Sequence, residues 1–548
     1  MRGRPTDSRE RPVLLTIADT AFGLFCIEED MEIVQGKALK LKLRNPHKVL
    51  SVIPKSALIE DGGDGGLSTV MVHWGLEEAQ VLKNLKIKNV PSPIIAKYRW
   101  PGIYQPFTHQ KQTAAFLTLH RRAFCFSEPG TGKTLSVTWA IDFLMNIGQI
   151  KRVLVVCPLS IMQSAWQNDI FKGAMHRRVG IAYGTKDKRA QVIASDAEIV
   201  IINFDGMGIV EDEIKAAGFD LIVIDEANAY KTATTTRWKT LNRILKANTW
   251  LWMLTGTPAS QSPLDAYGLA KLVNPSNTPR SFSLYRDQVM HKVTNFKWSP
   301  KVTAEQTVST LLQPAIRFTK EQCLDLPDLL YATRDVALTP QQQKYYERMR
   351  KTMAMEAAGE EVTAVNAAAK LNKLLQISCG ATYSDNGEVV AFDIGSRLAV
   401  LKEVIEESTQ KVLIFAPFRH AIEILYEELR KEGYTVDVIH GGVSLGQRTE
   451  IFRKFQDTPD PRILVIQPQA ASHGVTLHAA NTVVWWAPIT SYETYAQANA
   501  RIHRAGQKNK CLVVRLQGSP VEEKLYKALS SKEEAQCNLM DLYKEEFS

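Results

Sequence analysis

No C-x-x-C pair, no long apolar run and no strong imbalance of charge occur in this 548-residue sequence, and each absence closes off a class of protein. The seven cysteines (Cys26, Cys125, Cys157, Cys323, Cys379, Cys511 and Cys537) are scattered, most of them inside apolar runs. That argues against a zinc site or a disulfide framework and fits a reducing, intracellular setting. Histidine is sparse too, and His420, His440 and His478 have no neighbour at metal-ligand spacing. No segment is apolar and long enough to cross a bilayer, and the arginine-rich start has no apolar stretch behind it to serve as a secretory leader. A soluble cytosolic or nuclear protein without a membrane partner is expected. The net charge of +9 permits a nucleic-acid partner without requiring one.

What is present belongs to a globular protein: 45% apolar and 23% charged residues exclude disorder, collagen and coiled coil. The length calls for several domains, each with its own core. Two blocks alternate short apolar strands with helical patterns, the mark of parallel α/β domains. In the first, strands are predicted at 123–126, 152–157, 198–203, 219–224 and 249–254; in the second, at 411–416, 435–439, 462–467, 482–486 and 511–516. These runs are almost continuously apolar, as expected where helices cover both faces of a sheet. The fold class is therefore α/β, with two tandem doubly wound lobes at 99–275 and 394–548. Between them, over 276–393, the strand rhythm fades and 339–356 and 362–377 have helical spacing, which predicts helical arms and a linker. Residues 1–98 form a small accessory domain of open role. There Lys40, Lys42 and Arg44 alternate with Leu39, Leu41 and Leu43, giving a strand with one basic and one apolar face.

The chemistry begins directly after the first strand. Ser127-Glu-Pro-Gly130-Thr131-Gly132-Lys133-Thr134 runs into a helical pattern, and a glycine-rich turn of this kind aims backbone N–H groups at phosphates. Lys133 would neutralise phosphate charge and Thr134 would ligate Mg²⁺. The strict pattern has glycine where this chain has Ser127. Downstream, the apolar run 219–224 ends in Asp225-Glu226, and carboxylates at the tip of a buried strand have no packing role, because burying them unpaired is costly. Asp225 is expected to anchor the metal and Glu226 to polarise the attacking water. Far along the chain, Arg501 and Arg504 lie three apart and project from one face of a helix or tight turn. Alone they would read as a solvated basic face; beside a complete phosphate site they read as fingers for charge developing on the γ-phosphate.

The order of these motifs resembles the Swi/Snf-type DNA translocases of helicase superfamily two, and the resemblance covers about residues 105–530. Phe107-Thr-His-Gln110 is similar to the family's adenine-recognising motif, Val155 to Ser160 with Trp166 to motif Ia, and Leu254-Thr255-Gly-Thr-Pro258 to motif III. His473-Gly474-Val-Thr476-Leu resembles motif V, and the run from Gln497 to Gln507 motif VI. Arg317-Phe-Thr-Lys320 with Leu326-Pro327, Leu338 to Tyr346, Leu374 to Cys379 and Val521-Glu-Glu523 resemble segments particular to this family. The resemblance implies RecA-like lobes with ATP and Mg²⁺ between them, and Gln497 in the catalytic set. It implies a nucleotide contact at Gln110, and DNA contacts at Pro158, Ser160, Thr255, Arg419, His473, Gly474 and Thr476. It also implies ATP-driven movement along double-stranded DNA, with a strand-separating DNA or RNA helicase as the alternative. A compact phage or bacterial member is expected, cytoplasmic there or nuclear in a eukaryote, acting as a monomer with any recruiting protein partner left open.

Two positions depart from the family. Asn228 stands where histidine is usual, and it cannot take a proton near neutral pH. Ala500 replaces an aspartate that would brace Arg501. Trp485 and Trp486, potential base-stacking residues, read better as core.

Overall fold

A computed structural model of the chain describes residues 31–530 other than 64–65, 257, 260–261, 295–297, 324–325, 360–363, 384–388, 472–474 and 505. Two parallel sheets organise it. The first has seven strands in the order Ala315–Ile316, Arg122–Cys125, Trp250–Leu254, Leu221–Asp225, Val153–Cys157, Ile199–Asn203 and Val179–Ala182. Alternate residues of these strands face opposite ways into two cores. Leu154 and Val156 join one cluster, and Val153, Val155 and Cys157 join the other. Burial on both faces is why the strands read as unbroken apolar runs.

The second sheet has six parallel strands, ordered Leu329–Asp335, Cys511–Gln517, Ala480–Trp485, Lys411–Phe415, Ile463–Ile466 and Val436–Ile439. Trp485 and Trp486 are fully buried in it, each with its indole N–H donated, to Asn499 Oδ1 at 2.9 Å and the Cys379 carbonyl at 3.0 Å. They are core residues, as expected.

All ten predicted strands are present, shifted by two residues or fewer at either end. Three other strands of these two sheets escaped the sequence, and two of them, together with the short hairpins Met290–Lys292/Trp298–Pro300 and Ala381–Tyr383/Val389–Ala391, correct the picture of 276–393 as helices and linker. Ala315–Ile316 pairs with the first sheet, and Leu329–Asp335 with the second. The former has too few residues to carry a period, and the latter is an edge strand with mostly exposed side chains. Val179–Ala182 also lies at an edge and contains Gly180. The expected helices are there at Pro340–Gly359 and Ala364–Cys379. Tyr346, Leu371 and Leu374 pack against Val521 and Leu525 of the helix Pro520–Ser530. Under this joint lies a buried ion pair. Arg397 Nη2 reaches both Glu522 oxygens, at 2.7 and 2.8 Å, and Nη1 donates to the Ser378 carbonyl at 2.9 Å.

Ahead of the lobes stands an antiparallel sheet ordered Met31–Val34, Ala38–Leu43, Ser68–His73 and Ser56–Glu60. Leu39, Leu41 and Leu43 point into its core, and Lys42 and Arg44 are exposed. Gln80 Nε2 donates to the Thr118 carbonyl at 3.0 Å, and Tyr98 donates to Asp142 Oδ2 at 2.6 Å, tying this part to the first lobe. Among the described residues no helix is long and apolar enough to cross a membrane.

Candidate functional site: the cleft between the lobes

The chemistry-bearing residues of the first lobe collect at the carboxyl ends of its strands, where parallel sheets hold ligands. The loop 127–132 joins the strand Arg122–Cys125 to the helix Lys133–Asn146, and Gly130 and Gly132 have φ of 93° and 78°, a region that glycine enters without strain. Lys133 Nζ donates to the Ser127 carbonyl at 2.6 Å, which folds its ammonium back over the loop. His109 Nε2 bonds the Thr131 carbonyl at 2.8 Å. Gln110 packs on Gly132, where a methyl would come within 2.1 Å of its Nε2, while its Oε1 accepts the Phe107 N–H at 2.9 Å. Ser127 has a role that glycine could not fill: its hydroxyl accepts the Phe318 N–H at 3.2 Å. Thr134 stands in the first turn of the helix, its carbonyl accepting from the Thr138 hydroxyl at 2.8 Å.

Asp225 ends its strand, and Glu226 follows with φ 54°, a left-handed conformation costly for a non-glycine residue and often kept where function requires it. Two donors fix the Asp225 carboxyl: Trp166 Nε1 to Oδ2 at 2.8 Å and the Glu226 N–H to Oδ1 at 3.0 Å. Burial raises Asp225 above the usual carboxylate range against the pull of Lys133 and the Trp166 bond. Glu226 is raised to about 7, first by burial, then by Asp225 and Glu493, with Lys133 and Arg501 opposing. A carboxyl raised to near neutrality is matched to proton exchange there, its carboxylate form being the one that accepts a proton. Hard oxygen donors at Asp225 and Thr134 suit Mg²⁺. No cluster of three or more His, Cys, Asp or Glu able to hold a metal occurs among the described residues.

The second lobe brings cations to face this lobe. Helix Tyr492–Asn499 ends just before Arg501, and Arg501 and Arg504 both donate to the Val475 carbonyl, at 3.3 and 3.1 Å. That carbonyl braces Arg501 where the family's aspartate is replaced by Ala500. Arg501 is 5% exposed, and its guanidinium is brought down to about 9 by burial and by Arg504, with Glu226 opposing. Arg504 lies against the phosphate loop, its Cβ 3.3 Å from where a Gly130 methyl would stand. Across the cleft, Asn228 Nδ2 donates to Glu493 Oε1 at 3.0 Å, and Gln497 Nε2 approaches the same oxygen at 3.4 Å. The histidine-to-asparagine departure thus keeps a hydrogen bond between the lobes. Glu493 was not singled out in the sequence, although its place four residues before Gln497 puts both on one helical face.

The residues expected to meet DNA separate into two groups. Arg419 is exposed, paired with Glu423 at 2.8 Å, and stands beside the loop His440-Gly441-Gly442. Ser160 and Thr476 are half-buried and Pro158 is buried. Thr255 is 1% exposed at the end of a central strand, its N–H bonded to the Cys125 carbonyl at 3.1 Å. In this conformation it does not present a surface to a duplex; its neighbour Gly256 instead packs on Pro129 of the phosphate loop. His473 and Gly474 lie outside the described residues. Trp166, noted in the sequence only as part of a motif, proves to be the link from that segment to Asp225. The π-helical turn Met162–Gln167 that aims it is a local irregularity of a kind frequent at functional sites.

Comparison with known proteins matches residues 109–380 to the SNF2-related domain and residues 396–506 to the helicase conserved C-terminal domain. An uncharacterized ATP-dependent helicase of Mycoplasma genitalium is 27% identical over 421 residues, covering 74% of this chain and 39% of its own. The putative protein p41 of Acyrthosiphon pisum secondary endosymbiont phage 1 is 23% identical, covering 70% of this chain and 85% of its own. Among solved structures, the Sulfolobus solfataricus SWI2/SNF2 ATPase core in complex with dsDNA aligns with 82% of this chain and 96% of its own, at 23% identity and a TM-score of 0.40. The chain spans about two fifths of the length of the Mycoplasma helicases it matches.

Proposed function

The chain belongs to the SNF2-related family of helicase superfamily two, and from that premise we propose that it hydrolyses ATP between its two lobes to move along double-stranded DNA. One observation carries the reading: the phosphate loop and the Asp225–Glu226 pair of one lobe stand within electrostatic reach of Arg501 and Arg504 of the other. Loop N–H groups and Lys133 bind the phosphates, with Gln110 backing the loop toward the nucleotide base. Glu226 takes the proton of the attacking water. Arg501 and Arg504 stabilise the charge that spreads over the transferred phosphoryl oxygens. Thr134 and Asp225 would hold Mg²⁺, whose chemistry when bound would be to offset phosphate charge. Gln497 and Glu493, through Asn228, register whether the lobes are closed.

Movement follows if each lobe grips the phosphate backbone in turn, through Pro158 and Ser160 on one side and Arg419, His473, Gly474 and Thr476 on the other. Thr255 acts as a link beneath the phosphate loop. Phosphate contacts carry no base information, so binding is sequence-tolerant and strongly salt-dependent. On this reading 99–275 and 394–548 are the motor lobes, 276–393 the arms that frame the track, and 1–98 an accessory domain. Steady-state ATP turnover without nucleic acid, then with single-stranded DNA, duplex DNA and RNA at fixed salt, tests the proposal. Stimulation by duplex, followed by displacement of a third strand from a triplex, is the expected result. Stimulation confined to single strands or RNA would replace the reading with a strand-separating helicase.

A further inference from the structure

The segment leading out of the first lobe is laced onto the phosphate loop. Phe124, Phe126 and Glu128 donate backbone N–H groups to the carbonyls of Pro314, Ile316 and Phe318, at 2.9, 2.8 and 3.0 Å. Phe318 N–H returns to Ser127 Oγ at 3.2 Å, and Lys320 N–H to Glu128 Oε2 at 3.2 Å. The ladder delivers Lys320 to the outer edge of the loop, where its Cε lies 3.7 Å from the place a Gly130 methyl would occupy, on the same side as Arg504. Its ammonium makes no hydrogen bond among the described residues. The charged groups around it are Glu128, Arg504, Arg501 and Lys133.

A half-buried ammonium without a hydrogen bond, crowded by three other cations, is costly unless an anion joins it. Burial and these cations bring it down to about 8 in spite of Glu128. An anion at this edge of the loop would lie among all four cations.

We propose that Lys320 is a phosphate-contacting residue that reads the terminal phosphate and so separates ATP from ADP, an inference that rests on the ATP site proposed above. Its position gives it a second consequence. Seven residues on, the Pro327 carbonyl is held by His503 Nε2 at 2.8 Å, next to Arg504, and the chain then enters the second sheet. Loss of the terminal phosphate therefore releases a residue on the connector between the lobes.

Binding of ATP and of ADP, each with Mg²⁺, is measured by titration calorimetry in the full chain carrying Glu226→Gln, alone and combined with Lys320→Met or Lys320→Arg. Lys320→Met is expected to weaken ATP about 10- to 100-fold, the range for one charge-assisted hydrogen bond, and ADP less than about threefold. Lys320→Arg restores most of the difference. If the parent binds both nucleotides and Lys320→Met keeps its ATP-to-ADP ratio, this inference falls alone. Equal weakening of both nucleotides marks a merely structural lysine and also overturns it. A parent that binds neither nucleotide removes the site reading itself.

Discussion

Replacing Trp166 by phenylalanine isolates one hydrogen bond at the heart of the site. Trp166 is fully buried, and its Nε1–H reaches Asp225 Oδ2 at 2.8 Å, one of the two donors that hold the carboxyl. The substitution keeps an aromatic ring and deletes the donor. A hydrogen bond to a charged partner contributes about 1.5–3 kcal/mol, so the carboxylate geometry needed for the metal is lost by about 10- to 150-fold. Shrinking a buried indole to a phenyl ring adds about 1–2 kcal/mol of global destabilisation through the space left behind. ATP turnover is measured against Mg²⁺ concentration, with and without saturating duplex DNA, on protein shown to be folded by its melting curve. The half-saturating Mg²⁺ concentration should rise by at least about tenfold, while turnover at saturating Mg²⁺ recovers to within severalfold, because a bound cation can itself orient Asp225. Stimulation by DNA should drop further, since the same indole ties the segment 158–167 to the site. An unchanged Mg²⁺ midpoint in a folded variant would refute the idea that Trp166 positions Asp225.

Glu226→Gln should leave ATP binding intact and lower turnover by at least about a hundredfold, a figure typical for loss of a general base; near wild-type turnover would remove the assignment. The same substitution has a stability signature in protein stripped of divalent cations. The Glu226 carboxyl is raised in the fold from 4.5 to about 7, so the folded chain holds that proton more tightly than the unfolded chain. The resulting stability is fully present below about 4.5 and is lost as pH rises through about 7. Glu226→Gln should therefore stabilise the chain at pH 8 by about 1–3 kcal/mol, with a smaller gain at pH 5, measured by urea unfolding. Gly256→Ala would put a methyl 2.7 Å from Pro129 Cδ, so the phosphate loop must move. The KM for ATP should rise about tenfold, with about 1–3 kcal/mol lost from unfolding, and a KM equal to wild type would show that the loop yields freely. Glu522→Gln leaves Arg397 buried without its countercharge, at a cost of about 3–5 kcal/mol in the unfolding of the second lobe; a loss under 1 kcal/mol would mean that water or backbone replaces the pair.

The sequence disclosed most readily what is repetitive or locally dense in chemistry. Strands buried on both faces stand out because nothing polar interrupts them, and the loop from Ser127 to Thr134 carries its own signature of glycines, lysine and hydroxyl. The pairing of Ala315–Ile316 and Leu329–Asp335 with different sheets stayed hidden. Two residues have no period, and an edge strand shows one side to solvent. Contacts made by residues distant in sequence were equally silent. Nothing near Trp166 announces that it bonds Asp225, 59 residues away, and Asn228 and Glu493 are 265 residues apart. Thr255 shows another limit of the sequence: its motif resembles one placed at DNA in the family, and nothing in that motif told that the residue is buried directly after a central strand. Ser127, a departure from the strict phosphate-loop pattern, becomes intelligible only with Phe318 beside it.

The charges at the cleft explain why closing it should depend on the nucleotide. Lys133, Lys320, Arg501 and Arg504 converge on one side of the phosphate loop, and Arg501 and Lys320 stand well below their ordinary values because each is buried near other cations. Closed without a nucleotide, the lobes press like charges together in a medium that screens them poorly. ATP brings more negative charge than ADP and places it where these side chains converge, so it favours closure more. On the proposed function, hydrolysis and phosphate release would return the repulsion and favour an open cleft. The hydrogen bond of Asn228 to Glu493 adds a contact that does not depend on this charge balance. A histidine in its place, beside the Glu493 carboxylate, would gain a proton as pH falls and strengthen closure in acid. Asparagine makes its bond at any pH near neutrality, leaving the phosphates to decide when the lobes part.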